Sequence, residues 1–130
     1  MKQVFLVFSV VIVDQISKFF VLKYYSQIVS TNSGGAFSFF NGLASYKVIV
    51  GFLILAIIAG LIFIKQTRKL GVFLILGGAL SNLIDRIFRG EVIDFIDFKI
   101  WPSSNLADIA ISAGLILTVI YLFYPIKKSP

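Results

Sequence analysis

The sequence predicts an all-α membrane protein of four transmembrane helices, and three observations carry that prediction. The 130 residues are 58% hydrophobic and only 14% charged, whereas a soluble domain runs near about 25% charged and about 45–50% apolar. Four long apolar runs follow one another along the chain. The charges outside those runs divide unevenly, with six basic residues and no acid on one side and four basic residues mixed with three acids on the other. At this length the chain reads as one integral membrane domain, residues 1–130.

The first run covers residues 4–22 and is interrupted by Asp14 and Lys18. Lys2 ahead of it resembles the start of a signal peptide. The internal charges, the lack of a small-residue cleavage pattern and the three runs that follow point instead to a retained span. The second, residues 48–64, has seventeen residues without a charge and no polar face, which argues against a buried soluble helix. The third, residues 71–88, is apolar to Leu80 and then carries Ser81, Asn82, Asp85 and Arg86. The fourth, residues 106–124, has Asp108 near its start. A helix rising about 1.5 Å per residue needs about 20 residues to cross the hydrocarbon layer, and each run reaches that length once its ends are counted. Pro102 breaks the chain ahead of the fourth run, and Ser or Asn at 103–105 suits a helix N-cap.

Lys2, Lys65, Arg68, Lys69, Lys127 and Lys128 lie on one side, six positive charges with no acid among them. The positive-inside bias therefore puts both termini and the short connector at 65–70 in the cytoplasm, and loops 23–47 and 89–105 outside. In the first outward loop, residues 24–30 and 36–40 are rich in aromatic or β-branched side chains and flank a Gly-rich turn. Two strands are expected there.

The net charge of +6 would suggest nucleic acid in a soluble protein; in a membrane protein it reflects cytoplasmic anchoring, and no nucleic-acid partner is expected. With no His and no Cys, histidine triads, cysteine nucleophiles and disulfides are excluded, and a zinc site would need carboxylates alone. Proton chemistry falls to six acids, the lysines, the tyrosines and the hydroxyls. Asp14 and Lys18 stand at i and i+4 and can pair on one helix face, for structure or for function. Asp85 and Arg86 are neighbours pointing in different directions, so each needs its own partner; Arg86 suits a network clamp or a substrate-carbonyl contact. Asp94 follows the third run and Asp108 opens the fourth, so both can lie near the outer surface. Two close carboxylates share one proton, which makes them a hydrolytic pair. The alternative leaves Asp94 and Asp97 as solvated loop acids and Asp108 as a helix N-terminal acid.

Five segments, in order, resemble the lipoprotein signal peptidases, signal peptidase II. They are Val13-Asp14-Gln15-Ile16-Ser17-Lys18, Thr31-Asn32-Ser33-Gly34-Gly35-Ala36-Phe37-Ser38, Gly77-Gly78-Ala79-Leu80-Ser81-Asn82-Leu83-Ile84-Asp85-Arg86, Gly90-Glu91-Val92-Ile93-Asp94-Phe95-Ile96-Asp97-Phe98 and Asn105-Leu106-Ala107-Asp108. The resemblance covers nearly the whole chain. It implies a bacterial cell-membrane aspartic endopeptidase that cuts diacylglyceryl-modified prolipoproteins before the lipidated cysteine, without metal or cofactor. It places the catalytic pair on Asp94 and Asp108. Supporting roles fall on Asp14, Lys18, Asn32, Gly34, Asn82, Asp85, Arg86 and Asn105: Asn32 and Arg86 contact substrate or inhibitor, Asp14 and Asp85 hold the network, and Asn105 orients the pair. It also implies a small extracytoplasmic β-cradle in the first outward loop, membrane lipid and prolipoprotein as partners, block by globomycin-like cyclic peptides, and a monomer.

This chain departs from the family pattern in being short, in having Ser81 where Gly is usual before Asn82, and in having Ser104 where an aromatic is common. Its connection from Asp97 to Asn105 leaves little room for a lid. Two other classes remain on the sequence alone. A lipid-modifying hydrolase wants a basic outward cluster, which is missing here. A small transporter or proton-conducting protein would use Asp14, Asp85 and Asp108 as relay acids.

Overall fold

Among the described residues, three of the apolar runs fold as helices that turn many large apolar side chains outward and gather their charged and amide side chains on facing sides. A computed structural model describes residues 2–32, 51, 69–100 and 102–123. Among them, helix α1 spans Lys2–Tyr24, α2 spans Lys69–Phe88 and α3 spans Leu106–Phe123. Strand β1 (Ser30–Asn32) pairs antiparallel with β2 (Val92–Asp94), setting Ser30 opposite Asp94 and Asn32 opposite Val92. The three helices match the first, third and fourth expected spans. Of the second, only Gly51 is described, and it is helical; the rest of 48–64 lies outside the described residues.

Helix α2 packs on both α1 and α3. Its apolar contact with α3 centres on Val72 and Ile75, with Ile111 against them. Small residues bring the two backbones together: a Cβ on Gly71 would stand 2.6 Å from the Gly114 carbonyl oxygen, and one on Gly78 would strike the Ala107 carbonyl. Against α1, the face of α2 is polar, with Ser81, Asn82 and Asp85 all buried. Outside, Phe5, Phe8, Ile12, Ile16, Phe19, Leu115, Ile116, Ile120 and Phe123 are exposed. Apolar surface on this scale is stable only in an apolar solvent, where backbone polar groups must be satisfied internally, as helices do. Helices α1 and α2 are each long and apolar enough to cross a membrane.

The expected strand over residues 24–30 is corrected. Helix α1 continues to Tyr24, capped by a Tyr25 N–H bond to the Val21 carbonyl at 2.8 Å. Phe20 stacks on Tyr24 at 6.0 Å, and Lys23 lies over the Tyr24 ring, so these aromatics favour the helix surface. A single turn of 3-10 helix follows at Ser26–Ile28. Only Ser30–Asn32 is extended, and its partner is the segment carrying Asp94 rather than a neighbouring strand of the same loop. Residues 36–40, the other expected strand, lie outside the described residues.

Gly90, at φ +80°, makes the turn from α2 into β2, a conformation glycine adopts without a Cβ penalty. After β2 an isolated bridge between Ile96 and Ser104 closes the short loop that returns to α3. Asp97 holds that loop through the Lys99 N–H at 2.8 Å and the Lys99 ammonium at 2.7 Å.

Candidate active site

The i, i+4 spacing on α1 puts Asp14 and Lys18 on its inner face, both fully buried. Removing a charge from water costs several kcal/mol unless it is paired, and Lys18 is paired three times. Its Nζ lies 2.6 Å from Asp14 Oδ2 and 2.6 Å from Asp85 Oδ2, and donates to Asn82 Oδ1 at 3.1 Å. Sequence spacing brings further members to one side: Ser81 and Asp85 on α2 and Arg89, one residue past its end, recur every four residues and face α1. Ser81 Oγ donates to Asp14 Oδ2 at 2.6 Å. Gln15 Nε2 donates to Ser81 Oγ at 3.0 Å and to Asp85 Oδ1 at 2.9 Å. Arg89 pairs with Asp85 and donates to Gln15 Oε1 at 2.9 Å. Asp85 Oδ2 also accepts from the Ile93 N–H at 3.4 Å, tying β2 to the network.

The start of α3 is held from two sides. Asn105 is its N-cap, its Oδ1 accepting from the Asp108 N–H at 2.9 Å. The next free N–H, that of Ala107, donates to Asp14 Oδ1 at 2.9 Å. Asp14 therefore caps a helix 93 residues away in sequence as well as pairing with Lys18. Asp108 stands in that first turn, where the helix dipole favours an anion.

Asp94 and Asp108 converge here. Asn105 bridges them, donating from Nδ2 to Asp94 Oδ1 at 2.7 Å while accepting from the Asp108 backbone. Asn82 Nδ2 donates to Asp108 Oδ1 at 2.8 Å. Asp94 is 2% exposed and Asp108 half-buried. Burial foremost, then the Asp108 charge, pushes the Asp94 carboxyl up to about 6, against the lowering influence of Asn105, Lys18 and Arg86. One buried carboxyl with a raised proton affinity beside another in an oriented position has the chemistry to serve as an acid–base pair. Among the described residues no three His, Cys, Asp or Glu side chains gather as metal ligands.

The remaining expected site residues are placed as follows. Arg86 is half-buried and donates to the Asn82 carbonyl oxygen at 3.3 Å, while the neighbouring Asp85 is fully buried. Asn32 is in β1, in the strand next to Asp94's. Gly34 lies outside the described residues. Gln15, Ser81 and Arg89 are network members that sequence reasoning missed; the four-residue recurrence 81, 85, 89, running through the end of α2, is the signal that finds the latter two. Beyond the sheet, Gln27, Ile28, Phe95, Asp97 and Lys99 line an open groove of about 400 Å³ that does not include the two aspartates.

Comparison with known proteins bears on the family and the fold. The family model of signal peptidase (SPase) II matches residues 6–124. A lipoprotein signal peptidase of Caldicellulosiruptor bescii is 45% identical over 66% of this chain, which spans only 59% of that relative. One of Francisella tularensis subsp. novicida is 40% identical over 84% of this chain and 76% of its own length. One of Thermodesulfovibrio yellowstonii is 35% identical over 87% of this chain and 88% of its own. Two solved structures, each described as a bacterial membrane enzyme, superpose with TM-scores of 0.80 at 26% and 27% identity, covering 99% and 95% of this chain and 93% of each of theirs. With both sequence and fold matched along nearly its full length, the chain belongs to the signal peptidase II family.

Proposed function

We propose that this protein is an intramembrane aspartic endopeptidase that removes the signal peptide from diacylglyceryl-modified prolipoproteins, cutting before the lipidated cysteine, with Asp94 and Asp108 as its catalytic pair. The observation that carries the reading is the pair of amide side chains, Asn105 and Asn82, that hold one oxygen of each carboxylate. Among the described residues no side chain takes the other oxygen of either aspartate, which leaves it for a water or a peptide group. Asp94, with its raised proton affinity, hydrogen-bonds the scissile carbonyl. Asp108 takes a proton from water as the water oxygen attacks the carbonyl carbon. On collapse, the C–N bond breaks and the proton passes to the departing amine. Arg86 and Asn32 hold substrate carbonyls, which supplies orientation, and Asp14, Lys18, Asp85 and the Gly34 turn support the site. Residues 48–64 supply a further span. The single integral domain then crosses the bacterial cell membrane four times, with both termini cytoplasmic and the aspartates at the outer face. The signal-peptide helix docks from lipid, and the bond to be cut unwinds into the polar interior, where its backbone groups find partners. Globomycin-like cyclic peptides block the same place, and the enzyme works as a monomer. Membership of a peptidase family decides against the transporter reading.

The test is cleavage of a diacylglyceryl-modified prolipoprotein peptide by purified protein, beside the D94N variant. Cleavage at the cysteine by the parent and none by D94N is expected; equal cleavage by both defeats the assignment.

A further inference from the structure

Lys18 does more than neutralise its carboxylate neighbours, because its third contact leads to the proposed catalytic pair. An ammonium has donors and no acceptor, so the atom of Asn82 that meets Lys18 Nζ, at 3.1 Å, must be the carbonyl oxygen. The amide then has one remaining direction for its NH₂, and there it meets Asp108 Oδ1 at 2.8 Å. Without a cation behind it, an asparagine in this position is free to turn over and present its oxygen to the carboxyl instead. Asp94 is held differently. Its amide partner Asn105 has its own oxygen on the Asp108 N–H, a backbone group, and no charged side chain behind it. The two halves of the site are therefore asymmetric by construction.

We propose that Lys18 is a positioning residue that acts through Asn82: by fixing the polarity of that amide it commits Asp108 Oδ1 to accepting a hydrogen bond, and so sets which carboxylate faces the water as a base. Lys18 itself touches neither substrate nor reacting atoms. Its place is over-determined by Asp14 and Asp85, each at 2.6 Å, and Asp85 is in turn balanced by Arg89. The charged groups bearing on the pair are thus Lys18 and Asp14 from α1, Asp85 and Arg86 from α2, and Asp94 from β2. Among these only Lys18 reaches Asp108 through a side chain whose two ends differ in kind. Ser81 adds to the same lock in this chain, since its hydroxyl and Lys18 share Asp14 Oδ2 and leave Asp14 Oδ1 for the first turn of α3.

The inference rests on Asp94 and Asp108 being the catalytic pair, and the variants separate the two claims. N82D has the shape of asparagine and still accepts from Lys18, but when ionised it has no donor for Asp108. Its turnover is expected to fall about tenfold to a hundredfold at neutral pH, with KM little changed and the thermal transition retained. At acid pH the carboxyl introduced by N82D takes up a proton and regains a donor, so the pH optimum should move down by about one unit or more relative to the parent. K18M/D85N, which removes one charge of each sign, should also lower turnover, and adding N82A to it should cost little more because the relay is already cut. An N82D profile that keeps the parental optimum, whatever its height, overturns the relay while D108N remains inactive. Normal cleavage by D108N instead overturns the pair on which the relay depends. Should K18M/D85N fail to fold, K18R decides for Lys18: it keeps the charge between Asp14 and Asp85 while altering the donor to Asn82 Oδ1, so turnover should fall with KM little changed, and parental turnover overturns the relay.

Discussion

Asp94 is the residue at which stability and chemistry oppose each other. Its carboxyl is ordinarily half-ionised near 3.8 and is pushed up to about 6 by burial and by Asp108. Between those values the folded chain binds more protons than the unfolded one, so folding loses stability as pH rises through that window and keeps the full penalty above about 6. The penalty is on the order of 1–3 kcal/mol. D94N removes it while keeping an oxygen for Asn105. The variant should therefore melt at a higher temperature than the parent in detergent at pH 8, with the difference closing toward pH 4; a lower melting temperature at both pH values would contradict the assigned cause. Activity should move the other way. D94N and D108N should each lower turnover on the order of a thousandfold or more, and the double variant should lose hardly more than either, as parts of one machine do. For the parent, kcat/KM should decline on the alkaline side of about 6 as the Asp94 proton is lost.

Among the elements, the contact of α2 with α3 places Asp108. Two glycines on α2 allow separate tests, because Gly78 lies against Ala107 in the first turn of α3 and Gly71 lies deeper, against Gly114 and Thr118. Both G78V and G71V should destabilise by about 1–3 kcal/mol through overpacking, read as thermal unfolding in detergent. Only G78V should also lower turnover per folded molecule, since a displacement of about 1 Å at a reacting group costs about a hundredfold. The three helices among the described residues were legible to within two residues at each end, because long apolar runs in lipid have few ways to satisfy their backbone except as helix. The sheet was not. Ser30–Asn32 is three residues long and pairs across more than sixty positions of chain, and nothing local distinguishes that from a hairpin with its neighbour. In the candidate site, the pairing of Asp14 and Lys18 was legible by their spacing, whereas the span-end positions of Asp94 and Asp108 left solvated loop acids as an alternative and only the family resemblance singled the two out. Gln15 and Ser81 were obscure because a single neutral polar residue within a helix has many ordinary explanations. Arg89 sits one residue beyond α2 and reads as a loop charge, yet it completes the ion pairs of Asp85.

For the molecule as a whole, six basic residues near the proposed inner surface and none of the acids there are the basis of the proposed orientation. A reporter fused after Lys128 should be active on the cytoplasmic side; activity outside would invert the scheme and put Asp94 and Asp108 on the wrong face for their substrate. The order in which the chain is made adds a constraint of its own. Helix α1 leaves the ribosome first, whereas Asn82, Asp85, Ser81 and the Ala107 N–H that complete its polar face lie 64 to 93 residues further on. During that interval a lone aspartate or lysine in hydrocarbon would oppose insertion. Because Asp14 and Lys18 are one helical turn apart on the same helix, the segment carries its own counter-ion and can enter the bilayer as a neutral unit, later exchanging self-sufficiency for partners as the other helices arrive. The pair is thus a chaperone for its own helix before it becomes part of an enzyme.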